Sequence, residues 1–258
     1  MQVIKLGGSV ITNKDRYKSF RRAVAVRLAK EIARAKTPTV IVHGAGSFGH
    51  ILAQKHDLSS GHKSIGQLKG FAEVHRDVRE LNNMVSSELI KAGINAVSIP
   101  PSSFIKADGG QIRGIETARF EEFLELGLTP VAFGDVVLDS QMGFCICSGD
   151  VLVYHIARNL DARRAIFVTD VDGIYGTHRG RRKILAELES LDHIGKLKKP
   201  GQKKKDVTGG IKGKAKVMLE LGGSGIESVL INGNKKGRLL RALRGEQVTG
   251  TFVHSRVK

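Results

Sequence analysis

Seven short apolar runs punctuate this 258-residue chain, most of them β-branched and continuous rather than alternating. They are Val3–Leu6, Thr39–His43, Ala96–Ile99, Pro130–Phe133, Ala165–Thr169, Ser228–Ile231 and Gly250–Val253. Continuous apolar runs of this length read as strands buried on both faces. Stretches with helical spacing lie between them. Ser19–Ala35 carries Val24, Leu28 and Ile32 four apart, and Leu68–Ala92 carries Phe71, Val74, Val78, Leu81, Val85 and Leu89 at threes and fours. Asp150–Leu160, Lys214–Leu221 and Lys236–Leu243 complete the set. Strands alternating with helices predict βαβ units, hence an α/β, three-layer αβα sandwich around a mainly parallel sheet.

One stretch departs from the alternation. Val136–Ile146 reads as a hairpin turning near Ser140–Gly143, an antiparallel appendage beside the site. Lys196–Lys205, with Pro200 and Gly201, is the best candidate for a mobile loop. Cys145 and Cys147 lie on one face of a strand, too close for an unstrained bridge, and suit packing rather than metal or redox chemistry. No apolar run approaches the ~20 residues that span a bilayer. The first residues enter a strand without a signal-peptide core, so a cytoplasmic location with no membrane partner is expected.

The net charge is +17, and residues 176–216 alone hold 13 Lys/Arg against 4 Asp/Glu. Such a segment suits either a solvated lysine-rich loop or a positive field that attracts a phosphorylated ligand. No helix-turn-helix, aromatic RNP-like run or zinc knuckle accompanies it, and the chain lacks Trp, so no specific nucleic-acid partner is expected.

The glycines gather where strands end. Lys5 precedes Gly7-Gly8-Ser9, and Gly44-Ala45-Gly46-Ser47-Phe48-Gly49-His50 follows the second strand as a glycine loop ending in a histidine. Thr169-Asp170-Val171-Asp172-Gly173-Ile174-Tyr175 follows a third strand, and Gly209-Gly210 precedes Lys214. Glycines let backbone N–H groups approach an anion, lysines supply point charges, and a helix N-terminus adds its dipole. Asp150 opens a helix after Ser148-Gly149, where an N-cap or first-turn acid is the plain alternative to a functional carboxylate.

These four segments, in this order, resemble the amino acid kinase family. The resemblance implies ATP as phosphoryl donor, Mg2+ travelling with it, and two lobes on one continuous sheet. Residues 1–160 would take the phosphoryl acceptor and 161–258 the nucleotide. It implies catalytic roles for Lys5, Lys14, His50, Asp150 and Lys214, with Asp150 holding two lysines in place and Lys212 a near competitor of Lys214. Lys5, Gly7, Gly8, Ser9, Gly46, Asp170, Tyr175, Gly209, Gly210 and Lys214 would contact ATP. The form GAGSFGH, with Ile99-Pro100-Pro101-Ser102-Ser103-Phe104, is similar to the archaeal isopentenyl phosphate kinases of that family. That implies isopentenyl phosphate as acceptor, bound by Ala45, Gly46, Gly49, His50 and Gly149, and a homodimer by analogy. Phe71, Val74 and Val78 are candidates to wall its apolar tail, with core packing the alternative for each.

Two other readings use the same residues. A kinase of fosfomycin or another small phosphate or phosphonate would share the fold and the histidine. A non-catalytic nucleotide- or RNA-binding protein would rely on the basic 176–216 region instead.

Overall fold

The computed structural model describes residues 1–178, 181–194 and 210–256. The elements run β1 (Gln2–Leu6), α1 (Gly8–Ile11), α2 (Arg22–Ala35), β2 (Thr39–His43), α3 (Gly46–Lys55), α4 (Gly66–Lys91), β3 (Ala96–Ser98), β4 (Ile105–Asp108) and β5 (Gln111–Ile115). They continue α5 (Ala118–Glu125), β6 (Thr129–Phe133), β7 (Asp135–Asp139), β8 (Gly143–Cys147), α6 (Gly149–Asn159), β9 (Arg164–Thr169), β10 (Tyr175–His178) and β11 (Arg181–Ile184). Last come α7 (Gly210–Gly223), β12 (Glu227–Asn232), α8 (Arg238–Leu243) and β13 (Gly250–Val253).

All seven apolar runs join one sheet, in the order β13-β12-β9-β1-β2-β6-β3. Its pairs are parallel except β12 with β13. Period-two alternation sorts the strand residues onto two faces. Val3, Val40, Val42, Ala132, Phe167 and Leu230 pack with α6 and α7 through residues such as Leu152, Ile156, Met218 and Leu221. Ile4, Leu6, Ile41, Val131, Ile166 and Ile231 pack on the opposite side, against Leu28 and Ile32 of α2, Leu81 and Val85 of α4, and Leu239 of α8. Each such residue contributes roughly 1.5–3 kcal/mol when fully buried. The layers are therefore helix, sheet, helix.

Strands β9, β1, β2 and β6 are neighbours, so the segments leaving their carboxyl ends are neighbours too. This is where open parallel sheets take ligands. The glycine-rich segments after β1 and β2, and Asp170 after β9, all lie there.

The expected hairpin is present as β7 and β8, paired from Asp135↔Cys147 to Asp139↔Gly143. It belongs to a larger four-stranded sheet, β5-β4-β7-β8, whose other half the sequence reading had not assigned. β4 and β5 are half-exposed and polar in part (Lys106, Asp108, Gln111, Arg113), which masks their pattern. The stretch 196–205 lies outside the described residues.

Asp139 fastens this second sheet. Its Oδ1 accepts from the backbone N–H groups of Gly109, Gln141 and Met142 at 3.0, 3.0 and 2.8 Å, and its Oδ2 from Gly110 at 2.8 Å. One carboxylate thus closes the turns of both hairpins. Burial alone would raise its pKa; the four backbone donors outweigh that and bring it down to about 2. A folded-state pKa below the unfolded value gives stability that is complete above about pH 4 and lost as pH falls through about 2. Asp139→Ala should lower stability at pH 7 by on the order of 2 kcal/mol. It should also remove this share of acid sensitivity between pH 4 and 2, read from thermal melts across that range. An unchanged melting temperature would mean that the turns are held by other contacts.

Candidate functional site

The side chain of Lys5 takes its direction from strand geometry. Val3 faces the α6 layer, so Lys5, two residues on, faces it as well. It emerges at the strand's carboxyl end, in register with Val42 of β2 and Phe167 of β9. There it meets the first turn of α6, with Lys5 Nζ 2.8 Å from Asp150 Oδ1. The other carboxylate oxygen, Oδ2, receives Lys214 Nζ of α7 at 3.0 Å. Asp150 is buried. Burial would raise its pKa, but the charges of Lys5 and Lys214 reverse this and hold it below the ordinary carboxylate value. The trio of two ammoniums and one carboxylate leaves one net positive charge.

Asp150 is therefore not the helix cap. Ser148 is, its Oγ accepting from the Asp150 N–H at 3.3 Å. Lys212 and Lys214 differ in their placement as well. Lys214 reaches Asp150, whereas Lys212, two residues earlier on α7, is exposed.

The glycine segments after β1 and β2 touch through their backbones. A Cβ on Gly8 would lie 2.6 Å from the N and Cα of Gly46, and one on Gly44 would lie 2.7 Å from the Gly8 nitrogen. No side chain fits in either place. The motif ending in His50 is not a loop throughout, however. Only Gly44 and Ala45 connect the elements, and α3 begins at Gly46. Two glycines in four residues lower helix propensity and hid this start. Phe48, Leu52 and Ala53, buried on one side, supply the packing that overrides it. His50 thus projects from the early part of a helix rather than from a loop tip.

The N–H of Ser47 is bound by Thr12 Oγ1 at 3.0 Å and that of Phe48 by the Ala45 carbonyl at 3.2 Å. Gly49 has a packing reason of its own: a Cβ there would stand 2.6 Å from the Ala45 Cβ and 3.1 Å from Val78 Cγ1. It lets α3 lie close on α4.

These elements enclose one cavity of about 490 Å³. Its wall includes Lys5, Gly7, Gly8, Ser9, Lys14, Ala45, Gly46, Gly49, His50, Gly149, Asp150 and Lys214, all expected from sequence. A second part of the wall is apolar: Ala45, Ala53, Val74, Val136 and Ile146 belong to one hydrophobic cluster and also line the cavity. Of the three proposed tail residues only Val74 lines it. Val78 is buried beneath Gly49. Phe71 turns to Phe144 and His75, with ring centroids 5.4 and 5.8 Å apart, and packs half-buried against the same hydrophobic cluster.

Asp170, Tyr175 and Gly210 stand outside this wall, and Gly209 lies outside the described residues. Asp170 still connects to it. Ser9 Oγ donates to Asp170 Oδ1 at 2.8 Å, and Lys14 Nζ lies 3.4 Å from Oδ2. Burial raises the Asp170 pKa, and Lys14 and Ser9 more than offset that, so it sits below its usual value.

Two features escaped the sequence reading. Asp135 lines the cavity, fully buried, with His75 Nδ1 2.9 Å from its Oδ2. Burial outweighs that imidazole and raises the Asp135 pKa. The only sequence sign was a Gly-Asp pair at the end of β6. His43, beneath Gly44, is fully buried and stacked on Phe133 at 5.4 Å. Desolvation lowers its pKa to about 4, so the imidazole is neutral at pH 7.

An array of this kind, with ammonium groups and close-approach backbone on one part of the wall and aliphatic groups on another, suits an amphiphilic anion and a transferring phosphoryl group. Comparison with known proteins agrees. A family model described as the amino acid kinase family matches residues 1–232. The isopentenyl phosphate kinase of Methanothermobacter thermautotrophicus is 40% identical over 264 residues, covering 98% of each chain. That of Methanocaldococcus jannaschii is 34% identical over 266 residues, again with 98% of each chain covered. A crystal structure of an isopentenyl phosphate kinase superposes with a TM-score of 0.86 at 38% identity, over 98% of this chain and 99% of the other. A structure of an isopentenyl phosphate kinase substrate complex gives 0.81 at 29% identity, over 98% and 100%. On this evidence the chain belongs to the amino acid kinase family, grouped within it with the isopentenyl phosphate kinases.

Proposed function

We propose that this protein transfers the γ-phosphoryl group of ATP to isopentenyl phosphate, yielding isopentenyl diphosphate and ADP for isoprenoid precursor synthesis. The observation that carries this reading is the two-part wall of the cavity. Lys5, Lys14, Lys214 and His50 share it with Val74, Val136 and Ile146, which matches a phosphate joined to a short hydrocarbon tail. The named activity of the relatives supports the same reading.

A phosphomonoester has a second pKa near ~6 and is largely dianionic at neutral pH. One of its oxygens attacks the γ-phosphorus as the bond to the ADP oxygen breaks, and no general base is required. The protein's part is positioning and charge. Lys5 and the Gly7-Gly8-Ser9 backbone cradle the β- and γ-phosphates. Lys14 and Lys214 take up charge that spreads over the transferred group. Asp150 keeps Lys5 and Lys214 in register. His50 donates a hydrogen bond to the acceptor phosphate, aided by backbone at Ala45, Gly46, Gly49 and Gly149. Asp170, Tyr175 and the Gly209-Gly210 turn serve the nucleotide. In this scheme residues 1–160 bind the acceptor and 161–258 bind ATP. The ATP phosphates would carry Mg2+, which would supply further positive charge beside the transferred group. Among the described residues no group of three or more His, Cys, Asp or Glu is arranged to hold an ion. A cytoplasmic homodimer is the assembly inferred from the resemblance.

A coupled assay of ADP release with isopentenyl phosphate, dimethylallyl phosphate, fosfomycin and UMP tests the acceptor. Isopentenyl phosphate should give the highest kcat/KM. Preference for fosfomycin would move the chain to the phosphonate branch, and tight salt-sensitive RNA binding without turnover would favour the non-catalytic reading.

His50→Ala should reduce turnover of isopentenyl phosphate about tenfold or more, the loss of one hydrogen bond to a charged group, with ATP affinity nearly unchanged. Normal kinetics would remove His50 from the site. Asp150→Asn leaves the buried Lys5 and the partly buried Lys214 ammoniums beside a neutral amide. It should cut kcat more than it raises either KM, because the lysine contacts strengthen as charge redistributes. A variant that melts early yet turns over normally when folded would reduce Asp150 to a structural acid.

Val74→Ala should enlarge the apolar wall and improve a longer prenyl phosphate relative to the five-carbon one, since overfilling a packed site costs about 1–3 kcal/mol. Phe71→Ala should leave that ratio unchanged and lower stability instead. The opposite pattern would relocate the tail.

A further inference from the structure

Lys14 rides on the segment Asn13–Ser19, exposed from Asn13 to Tyr17 and partly buried at Lys18 and Ser19. The contact of its own side chain among the described residues is Asp170 at 3.4 Å, and the two side chains are 59% and 39% exposed. A pair so exposed is weakened by solvent screening and by the entropy of its two side chains. It cannot fix the lysine over the cavity.

The base of the segment is closed by backbone. Thr12 and Phe20 form an antiparallel bridge, and the Asn13 N–H donates to the Ser19 carbonyl at 2.9 Å. Further out the hold comes from a helix nearly sixty residues away in sequence. Asp77 of α4 has a carboxylate with no exposed surface. The Tyr17 hydroxyl donates to its Oδ2, and Lys18 Nζ lies 3.2 Å from its Oδ1. Arg76 adds Nε at 2.9 Å and NH2 at 2.8 Å. Lys18 also pairs with Glu80, one turn further along the same helix face. The Lys18 backbone has φ +52°, a left-handed conformation that costs a non-glycine residue free energy and persists where surrounding contacts impose it. A buried carboxylate needs donors, and α4 itself supplies only Arg76. Burial raises the Asp77 pKa, and the donors from Tyr17, Arg76 and Lys18 more than reverse it.

We infer that Asp77 is a positioning residue for phosphoryl transfer: its buried carboxylate docks the Tyr17–Lys18 end of the segment onto α4 and thereby sets where Lys14 stands. The inference rests on the role given above to Lys14. It adds a coupling. Val74, three residues before Asp77 on the same helix, lines the cavity, so one rigid element sets both the apolar wall and the lysine opposite.

The experiment is a double-mutant cycle on the full chain with ATP and isopentenyl phosphate. Asp77→Asn should lower kcat about tenfold, the loss expected when an acceptor of charge-assisted hydrogen bonds is weakened, at unchanged KM for isopentenyl phosphate. In a Lys14→Ala background the same substitution should change kcat less than about twofold, because its effect passes through the lysine. The loop-side pair Tyr17→Phe with Lys18→Met, which leaves Asp77 and its Arg76 contacts in place, should repeat this behaviour. It carries the test if Asp77→Asn fails to fold. Additive losses in the Lys14→Ala background, or an undiminished kcat in the loop-side variant, would overturn the inference while leaving Lys14 in its role. A silent Lys14→Ala would overturn that role and the positioning claim with it.

Discussion

Much of this molecule is organised around a buried carboxylate that neither of its partners can satisfy alone. Asp150 accepts Lys5 from the central strand and Lys214 from a helix that follows more than sixty residues later. Removing a charge from water costs several kcal/mol per ion, so such a group is stable only with its partners in place. The trio therefore ties β1, α6 and α7 into one unit. It also leaves a surplus positive charge at the carboxyl edge of the sheet, on the wall of the cavity. The ion pairs that hold the halves together and the field available to a phosphate are one set of atoms.

The second constraint is steric. Gly8 and Gly44–Gly46 bring the segments after two adjacent strands into backbone contact. Close backbone approach fixes the separation of β1 and β2 at their ends more firmly than side chains would, since side chains can change rotamer. The cavity floor is accordingly built from main chain and short ion pairs. Beside it stands the segment carrying Lys14, which leans on α4.

The sheet was legible in the sequence because its central strands β1, β2, β9 and β12 are buried almost throughout, so their runs are nearly continuous, while the edge strand β3 is only partly buried. β2 and β13 begin and end where the pattern does. The four-stranded sheet was half hidden because one face of β4 and β5 meets solvent and their residues are mixed. Helix α3 was missed for the reason that makes it useful, since glycines at 46 and 49 weaken its local signal while permitting close packing. Lys5, Lys14, Asp150 and Lys214 were legible as types of residue next to glycine turns. Which lysine pairs with which acid was not, because Asp150 with Lys214 and Asp170 with Lys14 are contacts across the fold. Asp77 carries no local pattern, and Asp135 only the Gly-Asp pair after β6. Each is one acid on an element whose spacing already has an explanation, and only burial marks it out.

The neutral state of His43 has a further meaning. Its pKa is near 4, those of Asp150 and Asp170 lie below the carboxylate range, and burial pushes the Cys147 thiol well above 9. None of these four groups, on or beside the cavity wall, exchanges a proton between about pH 5 and 9. These four groups keep a constant charge across that interval. A phosphate monoester, by contrast, moves between one and two charges near pH ~6. Acidification toward 5 therefore alters the guest before it alters this part of the host.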